Sequence, residues 1–133
     1  MQSIKNGLLI LVVLLLVTPA VAAAGRLPEP EELDNVIAKI TSKQSKNIRT
    51  FESKVREYFY DTEKKDAIVS LVKEFPPGEA VAILVLTELS KKSSQDVAAM
   101  KKAGKSWPEI AEQCGVKLKA VIKEIKAFRS GAG

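Results

Sequence analysis

The stretch Pro76-Pro77-Gly78-Glu79-Ala80-Val81-Ala82-Ile83-Leu84-Val85-Leu86-Thr87-Glu88-Leu89 decides the fold. Two prolines and a glycine make a clear break, and Glu79 opens a helix after it. Ala80 to Leu86 and Leu89 are apolar nearly all round the helix. A helix without a polar face is buried on every side, so this one is expected at the centre of the molecule.

The neighbouring segments carry helical periodicity, and none alternates as a strand would. Downstream, Ser93 and Asp96 stand three apart, as in a capping box with Asp in place of Glu or Gln. A short helix with Val97, Ala98 and Met100 follows, and Gly104 is placed to end it. Ser106 and Glu109 form a second capping box, with Pro108 in the first turn. Gly115 makes a turn, and Val121, Ile122, Ile125 and Phe128 lie on one face of a last helix over 118–129. Upstream, Asp61 reads as the N-cap of a helix over 62–75 with Ile68, Leu71, Val72 and Phe75 inward.

Further back, Pro28 and Pro30 with Glu31 and Glu32 mark a helix start, and Leu33, Val36, Ile37 and Ile40 share a face. The apolar stripe thins from Thr41 to Asn47 and resumes with Ile48, Phe51, Val55, Tyr58 and Phe59. An unbroken helix here would be about 45 Å long, more than the width of a small domain. It therefore kinks near residues 42–46, splits into a pair, or projects as an arm that finds a partner helix. The expected fold is all-α. A long N-terminal helix or arm over 25–60 leads into a compact helical domain over 61–129, with a disordered tail at 130–133.

The first 24 residues stand apart. Lys5 precedes an apolar run from Leu8 to Val17, Pro19 breaks it, and small residues follow through Ala22, Ala24 and Gly25. This is the pattern of a secretory signal peptide, with its cleavage region at Ala22, Ala24 and Gly25. The competing reading is a retained membrane anchor, since roughly 20 apolar residues suffice for a span. Either way Lys5 stays inside and the body faces out. The expected location is periplasmic or secreted. The lack of an Asn-x-Ser/Thr sequon fits a bacterial source.

Composition narrows the chemistry. The chain has no histidine, which removes the commonest general base and metal ligand. Cys114 is the single cysteine, so it is either a small core residue or half of an intermolecular disulfide. Ser70 and Lys73 match the Ser-x-x-Lys of penicillin-binding enzymes, but the Ser-Asp-Asn and Lys-Thr-Gly partners are missing. Asp61, Glu63 and Asp66 lack the glycine of a calcium loop. Glu109 and Glu112 share a helix face, with Glu109 already assigned to a cap. No Gly-rich phosphate loop is present. These features exclude the common enzyme classes, and the expectation is a non-catalytic protein with no cofactor and no metal site.

Charge is uneven. Residues 25–90 hold 10 basic and 12 acidic residues, whereas residues 91–133 hold 10 basic and 4 acidic. Lys117, Lys119, Lys123 and Lys126 form either a solvated helix face or a surface for a polyanion or an anionic membrane. Tyr58, Phe59, Tyr60 and Trp107 divide in the same way between core packing and contact with a partner.

Trp107 to Phe128 resembles a helix-turn-helix. Ala111 is the small residue at the close approach, Gly115 makes the turn, Val121 fills the core of the second helix, and Ile110, Cys114 and Val116 take the other apolar positions. Glu124 is less typical of that pattern. The wider stretch Pro77 to Val116 resembles a module of small exported bacterial helical proteins of unassigned function. The resemblance rests on the apolar helix Ala80–Leu89, on Lys92-Ser93-Ser94 with Asp96, on Gly104-Lys105-Ser106-Trp107-Pro108-Glu109-Ile110-Ala111, and on Gly115-Val116. It implies a compact helical unit outside the cytoplasm and carries over no catalytic residue. Together these readings lead to an exported protein acting in protein–protein interaction, self-association or cell-envelope structure. Polyanion or anionic-membrane binding is the first alternative. A DNA-binding regulator is the second, and it requires that the N-terminal segment not be an export signal.

Overall fold

The computed structural model describes residues 26–131. The expected signal segment, its expected cleavage region at Ala22, Ala24 and Gly25, and the tail residues Ala132 and Gly133 lie outside them. The described chain is all-helical: α1 (Glu29–Gln44), α2 (Ile48–Tyr58), α3 (Lys65–Glu74), α4 (Pro77–Ser90), α5 (Ser94–Lys102), α6 (Trp107–Gln113) and α7 (Leu118–Gly131). Among the described residues there is no strand.

Helix α4 is the axis of the molecule. Pro77 through Thr87 are buried apart from Glu79, and α1, α2, α3, α5 and α7 all pack on it. Its one buried hydroxyl, on Thr87, donates to the Ile83 carbonyl one turn back at 2.9 Å. That bond satisfies the only side-chain polar group the helix carries into the core. The all-round apolarity of the sequence thus becomes all-round burial.

Helices α1 and α2 are a pair, and both belong to the core. Ser45 closes α1, with its N–H and its Oγ both on the Thr41 carbonyl. Asn47 opens α2 by accepting the Thr50 N–H on its side chain at 3.2 Å. Asn at an N-cap offers the oxygen that an orphan helical N–H needs, so the chain turns where the apolar stripe thins. Leu33, Val36, Ile37 and Ile40 of α1, and Phe51 and Val55 of α2, are buried together with residues as distant as Phe128. Of the alternatives for 25–60, the break near residues 42–46 into a helix pair is the one the chain adopts, and the projecting arm is not. No packing boundary falls at residue 60, because one hydrophobic cluster runs from Leu33 to Phe128.

Two further expectations are corrected. Asp61 does not cap α3, which begins at Lys65. Phe59 instead accepts from the Thr62 and Glu63 N–H groups in a turn, and the Glu63 carboxylate accepts from the Lys64 N–H at 2.8 Å. The end of the chain also differs, because α7 carries Ser130 and Gly131, which were expected in the tail. The caps at Ser93 and Ser106 form as expected, accepting from the N–H groups of Asp96 and Glu109. In the second, the Glu109 carboxylate takes the Ser106 hydroxyl at 3.0 Å rather than the Ser106 N–H. Gly104 and Gly115 both adopt positive φ, 90° and 70°, as turn residues after a helix do.

Candidate functional site

Helix α7 lies along α1, and their ends form a groove. Val121, Ile122, Ile125 and Phe128 turn inward on α7, which leaves Lys119 and Lys123 exposed one turn apart. Opposite them, the chain entering α1 supplies Arg26, Leu27 and Glu29. The groove encloses about 830 Å³ and is lined by these residues together with Glu32, Ile122 and Lys126. Leu27, 50% exposed, adds apolar surface to this lining.

The lysines singled out in the sequence fare differently. Lys119 and Lys123 face the groove without an ion-pair partner among the described residues. Lys126 is half-buried, and its ammonium is held by the Glu32 carboxylate of α1. Lys117 stands before the first turn of α7, where its carbonyl accepts from Ala120 and Val121, and it does not line the groove. Arg26 and Leu27 were not picked out as site residues. Nothing local marks Arg26, and only the meeting of α1 with α7 puts it in one lining with Lys119 and Lys123.

The aromatic candidates separate as clearly. Phe59 is fully buried, stacked on Phe128 with ring centroids 5.7 Å apart. Phe51 meets Phe128 edge-on at 6.4 Å. Trp107 is also buried, and the Lys101 ammonium sits 4.4 Å from its ring centroid while facing Glu79 at 3.9 Å. Phe59 and Trp107 are core residues, which removes them from any contact surface. Tyr60 is 72% exposed. Tyr58 is 41% exposed, yet its ring still makes edge-type contacts with Phe59 at 4.9 Å and Phe128 at 5.1 Å. Partial burial pushes the Tyr58 phenol above its ordinary value, and the carboxylates of Glu124 and Glu88 push in the same direction.

Other candidate chemistry is absorbed by structure. Glu63 accepts the buried Ser94 hydroxyl at 2.6 Å, which ties the α2–α3 turn to the start of α5. Ser70 is exposed on α3, in a shallow groove bordered by Glu74, Ala98 and Lys102, with Glu74 and Lys102 paired at 2.5 Å. Cys114 is half-buried against the core at the end of α6, and its N–H donates to the Ile110 carbonyl at 2.9 Å. Glu112 is exposed on α6.

No protein-family model, curated protein or solved structure matches this chain. Among the described residues no helix is long and apolar enough to cross a membrane.

Proposed function

We propose that this chain is an exported, non-catalytic helical protein of the bacterial cell envelope that acts by binding another macromolecule. The observation that carries this reading is the N-terminal segment. Lys5, the apolar run Leu8–Val17, Pro19 and the alanines up to Gly25 form the three parts of a secretory signal. The likeness of Pro77–Val116 to a module of exported helical proteins supports the same location. The absence of histidine supports a binding role over acid–base catalysis. So does the use of Glu63 and Glu109 in holding turns and caps. Tyr58 and Tyr60, with their exposed ring surface, are the side chains best suited to contact a protein partner.

Expression of the full chain in a bacterial host, cell fractionation and intact-mass measurement test this. The expected product is periplasmic or secreted and begins at Gly25 or Ala23. A full-length product in the cytoplasm would overturn the reading and return the helix-turn-helix resemblance of Trp107–Phe128 to a DNA-binding role.

A further inference from the structure

We propose that the groove between the start of α1 and the outer face of α7 docks on the anionic headgroup layer of a phospholipid bilayer. This goes beyond the protein-binding role proposed above by adding a second, membrane-facing surface. Three cations, Arg26, Lys119 and Lys123, ring the groove, and none has an ion-pair partner among the described residues. Two carboxylates also line it. Glu32 is neutralised by Lys126, which leaves Glu29 alone against the three cations. The charged side chains lining the groove are thus in cationic excess, the local balance an anionic surface requires.

The apolar part of the lining distinguishes a bilayer from other polyanions. Leu27, half exposed, shares the lining with the cations, and the buried Ile122 forms the base beneath it. A nucleic-acid backbone is met by cations and hydrogen-bond donors and has no use for an aliphatic floor. A headgroup layer presents anionic phosphates above an acyl boundary, and interfacial binding adds buried apolar area to electrostatic attraction.

The test is amine labelling of the full chain, read lysine by lysine by mass spectrometry. It compares vesicles rich in phosphatidylglycerol with vesicles of phosphatidylcholine alone. The apolar leader can associate with both, so only the groove distinguishes them. Lys119 and Lys123 should label about five-fold more slowly on the anionic vesicles, the factor expected for one cation at such a surface. Added salt should restore their labelling by screening. Lys73 and Lys92, exposed elsewhere, should label alike on both. Equal labelling of Lys119 and Lys123 on the two vesicles overturns the proposal. So does equal protection of Lys73 and Lys92, which indicates adsorption without orientation. Protection by duplex DNA at matched phosphate concentration, without protection by vesicles, overturns it in favour of nucleic acid. The labelling result stands apart from whether the leader is cleaved in cells, so failure here and failure of the export reading are separate outcomes.

Discussion

The two ends of α1 meet the rest of the molecule in opposite ways. Toward its C-terminus, α1 touches α4 backbone to backbone. A Cβ on Gly78 would lie 2.0 Å from the Ile37 carbonyl oxygen and 2.8 Å from the Thr41 hydroxyl oxygen. The Gly78 N–H, one of the donors left over at the start of α4, goes to that hydroxyl at 2.9 Å. Toward its N-terminus, α1 meets α7 through long charged side chains, with Glu32 on Lys126 and an open groove beside them. A backbone contact admits one residue type and leaves no space. A contact made by Glu and Lys tolerates exchange and leaves room for a ligand. The first end is where the fold is held, and the second is where it can meet something else.

The contrast can be broken most severely at Gly78. Gly78→Ala forces α1 and α4 apart and should cost about 3 kcal/mol, at the upper end of overpacking effects. Thermal unfolding followed by circular dichroism should show a melting temperature lower by roughly 10–20 °C. A shift of a degree or two would mean the crossing is looser than described. Thr41→Val keeps the shape but strands the Gly78 N–H, at a cost of about 1–2 kcal/mol in urea denaturation. If Thr41→Val and wild type share one midpoint, water has replaced the hydroxyl.

At the other end the effects should be small. Glu32→Gln removes the carboxylate facing Lys126 and should cost less than about 1 kcal/mol, because the pair is substantially exposed. Added salt should shrink the difference between wild type and this variant. The Tyr58 phenol, which lies against Phe128 of α7, gives a pH test. Its folded-state value is raised, so the folded state holds the proton more tightly than the unfolded chain does. The resulting stability is complete below the unfolded value of about 10 and is lost as pH rises through the folded value. Melting temperatures across that alkaline range should fall less steeply for Tyr58→Phe, and parallel profiles would remove Tyr58 as the cause. The double variant Lys119→Gln and Lys123→Gln should change stability by no more than about 0.5 kcal/mol. A larger loss would mean these side chains hold the fold together and are not free for docking.

Several elements were legible because they depend on local pattern. The apolar run in α4, the caps at Ser93 and Ser106 and the turns at Gly104 and Gly115 each follow from residues within a few positions. The split between α1 and α2 was only half legible. The stripe thinned, but the cap at Asn47 was not singled out, and the burial of Phe51 depends on Phe128 far along the chain. Asp61 is no cap because the chain after Phe59 closes a turn through the Thr62 and Glu63 N–H groups and α3 begins only at Lys65. The groove was legible on the α7 side through its lysines. It was not legible on the α1 side, where nothing local to Arg26 and Leu27 indicates what they face.

Sequence alone determined that the chain is helical, where α5 and α6 are capped and the turns after them fall, and that α4 lies at the centre. Each of these follows from helical periodicity and from backbone groups satisfied within a turn or two. Tertiary structure decided which residues meet. It seated Gly78 on Ile37 and Thr41, buried Phe59 and Trp107, paired Lys126 with Glu32, and left Lys119, Lys123 and Arg26 around a common groove. Those outcomes depend on close packing between segments distant in the chain, where the shape of one surface selects what can lie against another.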